Sequence, residues 1–330
     1  MPFAFIGLGA ALFVTCVIGA APHAAASTVG DLPIVISGGT DHAIKRWDSS
    51  GKLIDTLGTL DDSVNVIRLL ANGSVVSGSA DGVVKTWNLA DARETQSITV
   101  SKSAVTAIAV SPDGPFIAVG SADGEISLWN TDTGKRLAAM QAHGSGVEAL
   151  QFAAELLISG SADKTIRMWR VLRAANKRDM DRLEYQSNIA AHDASVTAIA
   201  LGSSNNLIAT VSEDGWLKTW RLDGGLVGRV KVCDHGVASV VFSPDGRTIA
   251  TGDNDGKVRL WNAQTSAPLA TVFFHDKDRP VFALAWTPNG KVLVSGGADS
   301  TIRYWNVETG QKIKSIAAQD GAVKALLLVP

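Results

Sequence analysis

Ser159-Gly-Ser-Ala-Asp163-Lys-Thr-Ile-Arg-Met-Trp169 returns, little altered, as Ser295-Gly-Gly-Ala-Asp299-Ser-Thr-Ile-Arg-Tyr-Trp305. Working outward, the same tryptophan stands at Trp47, Trp87, Trp129, Trp169, Trp220, Trp261 and Trp305, at gaps of 40, 42, 40, 51, 41 and 44 residues. Six positions before each lies an aspartate: Asp41, Asp81, Asp123, Asp163, Asp214, Asp255 and Asp299. A fixed period of about 40 residues marks stacked supersecondary units, each too small to bury its own core.

Residues 192 to 220 show what one unit contains. His192 opens it. Ser195 to Leu201 is a β-rich apolar strand, Leu207 to Val211 a second, and Leu217 to Trp220 a third. Glu213-Asp214-Gly215 is the tight turn before the third strand. Elsewhere Ser111-Pro112-Asp113-Gly114, Ser243-Pro244-Asp245-Gly246 and Thr287-Pro288-Asn289-Gly290 fill the first turn. Proline presets φ at one corner and glycine takes the positive φ at another. A fourth strand follows each tryptophan, as in Gly134 to Met140. Near-continuous apolar strands such as Val147 to Phe152 imply burial on both faces. Radial stacking of four-stranded sheets into a ring supplies that burial without helices.

These motifs resemble the WD40 family of β-propellers, over about residues 31 to 330. The resemblance implies an all-β, seven-bladed propeller. The family's Trp-Asp dipeptide survives only as Trp47-Asp48; Asn or Arg follows the other six tryptophans. The resemblance also implies a hydrogen-bonded chain of His, Ser or Thr, Asp and Trp in each blade. Its full sets here are His143-Ser159-Asp163-Trp169, His192-Thr210-Asp214-Trp220, His235-Thr251-Asp255-Trp261 and His275-Ser295-Asp299-Trp305. Blades two and three lack the histidine, and Val119 replaces the hydroxyl of blade three. These two blades are expected to be the least internally braced.

The count also predicts how the ring closes. Ile34 to Ser37 matches a second strand, and Ala322 to Val329 a first strand with no blade after it. Pairing the C-terminal strand, about residues 321–330, with the N-terminal blade removes an open edge.

Composition narrows the function. A formal net charge of −2 gives no field that would draw nucleic acid or an anionic membrane. Only two cysteines, Cys16 and Cys233, are present, with no paired spacing for zinc or haem. Residues 1–29 read as an export signal: an apolar run to Ala21, then Ala24-x-Ala26, whose small residues suit signal peptidase, with residues 30–330 as the propeller. The basic start of a signal is missing, since the first Lys or Arg is Lys45, so a membrane anchor over residues 3–21 stays open. Periplasmic or secreted localisation is the expectation.

Repetition argues against catalysis, because an active site is not copied once per blade. Cys233-Asp234-His235 falls at a strand end where three neighbours cannot align as a triad, and Asp253-Asn254-Asp255-Gly256 lacks the acidic first and last ligands of a calcium loop. No catalytic, metal or cofactor residue is assigned. The residues that break the period are more informative. Trp216 stands two after its turn aspartate, where other blades carry smaller residues or a lone Lys or Glu. After the first valine of each innermost strand come Asn65, Thr106, Glu148, Thr197, Ala238, Phe282 and Lys324. Glu148, Phe282 and Lys324, with nearby Arg279, are not explained by blade packing. A basic insertion from Arg170 to Arg182 stretches one gap to 51 residues.

The expected function is a non-catalytic scaffold binding a protein or peptide on one propeller face through Trp216, Glu148, Phe282, Lys324 and Arg279. It would act as a single propeller within a larger complex. An accessory subunit of an exported redox or envelope complex and a channel enzyme acting on a small molecule are the alternatives.

Overall fold

The turns and alternating apolar positions build seven four-stranded antiparallel sheets in a computed structural model. It describes residues 32–112, 114–172, 182–202, 206–276 and 278–329. The proposed export segment, Asp113 and Arg173, Lys177 and Arg178 of the basic insertion lie outside the described residues. Strands are numbered β1 to β28 in chain order. The innermost strands of blades one to seven are β28 (Val323–Val329), β4 (Val64–Leu69), β8 (Val105–Val110), β12 (Val147–Ala153), β16 (Val196–Leu201), β20 (Val237–Phe242) and β24 (Val281–Trp286). Each blade then runs outward through three more strands in chain order.

Blade one is built from both ends of the described chain. β28 pairs antiparallel with β1 (Ile34–Gly39), from Ile34 opposite Val329 to Gly39 opposite Val323. The expected closure is present, and β28 lies between β24 and β4 in the ring.

The core is divided among the blade interfaces. Val292, Val294, Ile302 and Tyr304 of blade seven pack with Val35, Trp47, Val323 and Leu328 of blade one. The seven periodic tryptophans are each between 2% and 7% exposed. Such flat, buried interfaces require small residues where strands approach. A Cβ on Gly160 would come within 2.7 Å of Val196 Cγ1 in the next blade, so the Ser-Gly-Ser spacing is a packing requirement.

Every innermost strand carries a β-bulge at its start. In β12, Val147 pairs with Ser161 and Ala149 with Gly160, leaving Glu148 as the extra residue. The same shift leaves Asn65, Thr106, Thr197, Ala238, Phe282 and Lys324 as the extra residues of the other six strands. A bulge re-aims one side chain out of the alternation. These seven are therefore freed from the two interface cores that their strand neighbours fill.

Candidate functional site

The His and Asp turns lie at one face of the ring. In blade four, His143 Nδ1 is 3.0 Å from Asp163 Oδ2 and Nε2 is 2.7 Å from Ser159 Oγ, which accepts the Trp169 indole N–H at 2.9 Å. Blade five repeats this with His192, Asp214, Thr210 and Trp220 at 2.9 Å for each link. Blade seven does so with His275, Asp299, Ser295 and Trp305, at 2.9, 2.7 and 2.8 Å.

Burial and hydrogen bonding oppose each other here. Burial pushes His143 and His192 below the usual imidazole range, against the pull of Asp163 and Asp214. Burial alone would raise the Asp163 carboxyl, but hydrogen bonds from Thr165 and His143 outweigh it and hold the group down at about 2. Asp299 is held well below its usual value by His275 and Thr301 in the same way. The His143 and His192 imidazoles are thus neutral hydrogen-bond links whose second nitrogen is occupied by a hydroxyl.

Blade six departs from the expected set. His235 Nδ1 reaches Asp255 Oδ1 at 2.7 Å, but the His235 side chain is 74% exposed and does not join Thr251. Thr251 accepts only the Trp261 indole, at 2.9 Å. The cause is register: Cys233, not His235, donates its backbone N–H to Gly215 O as His143 does to Gly124 O, so His235 lies two residues beyond the histidine position. In the same blade Asp253 stands where blades four and five carry Ser161 and Ser212. It is fully buried, ion-paired to Arg259, and accepts the backbone N–H groups of Asp255 and Lys257 at 3.0 and 2.9 Å. In blade four the corresponding amide, that of Thr165, goes to Asp163. Asp253 therefore takes over the turn amides, while the His235–Asp255 pair lies toward the surface.

Two further braces escaped the repeat reading. In blade one Gln319 replaces the histidine, and its Nε2 donates to Ser37 Oγ at 3.0 Å. In blade three Ser127 replaces the missing hydroxyl, accepting the Trp129 indole at 2.8 Å. A cation row also went unread. Lys45, Lys85, Arg167, Lys218, Arg259 and Arg303 each lie opposite the blade's hydroxyl across the sheet. Its signal was in plain view: each stands four residues after the turn aspartate.

Hydrogen bonds sort the seven bulge residues. Asn65 Nδ2 donates to Val105 O of the next blade at 3.0 Å. Thr106 donates to Val147 O between blades three and four, and Thr197 to Val237 O between blades five and six. At Ala238 the neighbouring Ser239 does this, donating to Val281 O at 2.8 Å. Glu148, Phe282 and Lys324 make no such bridge among the described residues. Lys324 Nζ instead lies 3.9 Å from the Phe282 ring centroid, and burial pushes its ammonium below the usual lysine range. Burial raises the Glu148 carboxyl, and Glu213 of the next blade adds to the shift. Glu148 and Glu213 border a cavity of about 480 Å³ with Lys164, Asp193, Ser195 and Thr197.

The structure brings Phe282 and Lys324 together on adjacent blades and sets Glu148 on blade four, across the ring. Arg279 is exposed two residues before the start of β24. Trp216 does not join them. It lies on the third strand of blade five, half-buried, with the Arg229 and Lys231 cations 5.7 and 6.0 Å from its ring centroid. Burial raises the Cys233 thiol, which donates to Gly236 O at 3.2 Å. Among the described residues no three His, Cys, Asp or Glu side chains converge as a metal set.

A family model described as the IFT122 first beta-propeller matches residues 105–326, and one described as the anaphase-promoting complex subunit 4 WD40 domain matches residues 46–155. The chain belongs to the WD40-repeat β-propeller family. The human lysosomal-trafficking regulator is 33% identical over 39% of this chain and 3% of its own length. Rat apoptotic protease-activating factor 1 is 26% identical over 67% of this chain and 18% of its own. The maize guanine nucleotide-binding protein subunit beta is 27% identical over 62% of this chain and 56% of its own. The chain thus spans less than two thirds of the length of these curated relatives. Among solved structures, the computationally designed Ika8 protein superposes with a TM-score of 0.69 at 29% identity, over 89% of this chain and 87% of that one. WD40 propellers are typically protein-interaction scaffolds.

Proposed function

We propose that this WD40 propeller is an exported, non-catalytic scaffold that binds an extended partner segment across the mouth where the bulge residues lie. One observation carries the reading: the bulge position links neighbouring blades through Asn65, Thr106 and Thr197, and is released from that work at Glu148, Phe282 and Lys324. A half-buried carboxyl beside a second acid, and a half-buried ammonium over a ring, are costly to keep without partners. Opposite charges on opposite sides of the mouth suit a segment with a basic side chain for Glu148 and Glu213. Its other end would offer an apolar or acidic group to Phe282 and Lys324. Export is supported by the apolar run to Ala21 and the Ala24-x-Ala26 spacing after it.

The test is selection of a displayed random peptide library against residues 30–330. Enriched peptides are expected to share a basic residue, and Glu148→Lys should weaken their binding at least about tenfold without lowering the melting temperature. Enriched peptides that bind Glu148→Lys, Phe282→Ala and Lys324→Ala as tightly as the parent would overturn the reading.

A further inference from the structure

The opposite mouth of the channel holds a different kind of site. The far ends of the innermost strands enclose a cavity of about 220 Å³. Its walls are mostly aliphatic and aromatic, among them Ile199, Phe242, Leu284 and Leu326. Four side chains with polar atoms interrupt them; Gln151 and Ser243 donate to Phe152 O and Asp245 Oδ1, and the other two are less well partnered. Arg68, on β4, is half-buried, donates only to the backbone carbonyl of Ile67 at 2.9 Å, and has no carboxylate partner among the described residues. Trp286, at the end of β24, lines the same cavity, and its buried indole N–H meets no acceptor. The end of β28 lies between them, so the two donors stand on blades two and seven, either side of blade one.

Each donor is anomalous alone, and together they have one chemistry. Buried N–H groups are nearly always paired, so an orphan in a cavity wall marks a missing acceptor. A guanidinium without a carboxylate is a fixed positive fork suited to two oxygens of one planar anion. Apolar walls with a few convergent polar groups are the ordinary make-up of a small-molecule site. Three other arginines on the blades are ion-paired: Arg46 to Asp55, Arg259 to Asp253 and Arg303 to Asp299. Arg68 is not.

We propose that this mouth binds a small apolar carboxylate, its anion on Arg68 and its hydrocarbon body against the channel wall, with Trp286 as a second donor. A cavity of about 150 Å³ takes benzene, so this one suits a body of about ten heavy atoms. That size favours a free acid over a folded partner's surface. The inference is independent of the peptide reading, because it concerns the other face and other residues.

Calorimetric titration with 3-phenylpropanoate tests it, using its primary amide as the uncharged control. For a ligand of this size the carboxylate should bind with a Kd of about 1 mM or tighter. The amide should bind at least about tenfold more weakly. Arg68→Gln should abolish the difference between the two, and Arg68→Lys should keep part of it, which separates lost charge from lost fold. Trp286→Phe should weaken the carboxylate several-fold. Equal binding of acid and amide, no binding of either, or full affinity in Arg68→Gln would each overturn the proposal. So would tighter binding of a peptide through its C-terminal carboxylate than of the free acid.

Discussion

Ser127 stands directly opposite Val119 across strands β9 (Phe116–Ser121) and β10 (Glu125–Asn130), and its hydroxyl accepts the Trp129 indole N–H at 2.8 Å. In the other six blades the hydroxyl sits on the second strand and a Lys or Arg faces it. Blade three has moved the acceptor across the ladder and given up the cation. Removing it should strand a buried donor, at a cost of about 1–3 kcal/mol. Ser127→Ala is therefore expected to lower the denaturation midpoint, and Ser127→Lys/Val119→Ser to recover most of the loss. A double variant no better than Ser127→Ala would show that the indole does not depend on this hydroxyl.

Blade number, strand order and closure were legible because each rests on residues that recur seven times. The bracing of individual blades was legible only where the usual residues stand. Ser127 replaces an expected partner from another position and Gln319 replaces one by a different residue type, and nothing in one repeat announces such substitutions. Asp253 was visible as an acidic residue, but its burial depends on Arg259 reaching it across the sheet. The bulge set was readable as a position, because one residue follows the first valine in each strand. Its division into bridging and non-bridging members needed the next blade's carbonyls in place.

Closure joins the two ends through β28 and through Gln319 on Ser37. Val323, Ala325, Leu327 and Leu328 are buried there. Burying each large aliphatic side chain contributes about 1.5–3 kcal/mol. Deleting residues 321–330 is expected to expose the edge of β1 and give aggregation or non-cooperative melting, measured by light scattering and calorimetry. Gln319→Ala is the milder version, expected to cost about 1 kcal/mol. A truncated chain melting cooperatively at the parent temperature would remove the closure argument.

Acid should act in two stages. The folded pKa values of His143 and His192 lie below the ordinary 6.5, so the unfolded chain takes up protons first. Their contribution is complete above about pH 6.5 and is lost as pH falls through the folded values. Asp163 follows the same sign lower down: its contribution holds above its ordinary 3.8 and is lost toward about 2. Glu148 is raised and runs oppositely, its contribution being lost as pH rises through its folded value. The melting temperature should fall between about pH 7 and 5. His143→Gln/His192→Gln should flatten that stage, since Gln319 shows that an amide can serve the hydroxyl without titrating. An unchanged slope in the double variant would assign the stage to other groups.

Asp253 and Arg259 pose the sharpest question of stability. Their pairing places a carboxylate with no exposed surface under a guanidinium that is itself only 19% exposed. Removing one member of such a pair leaves an uncompensated buried charge and costs about 3–5 kcal/mol. Arg259→Met is therefore expected to be severely destabilising. Asp253→Ser should be much milder, because it restores the residue of blades four and five and returns the turn amides to Asp255. His235 should stay at the surface, because Cys233 holds the histidine position of this blade, and its ring resonances in two-dimensional NMR should be unchanged. Equal damage from Arg259→Met and Asp253→Ser would mean that the cost is not that of a stranded buried carboxylate.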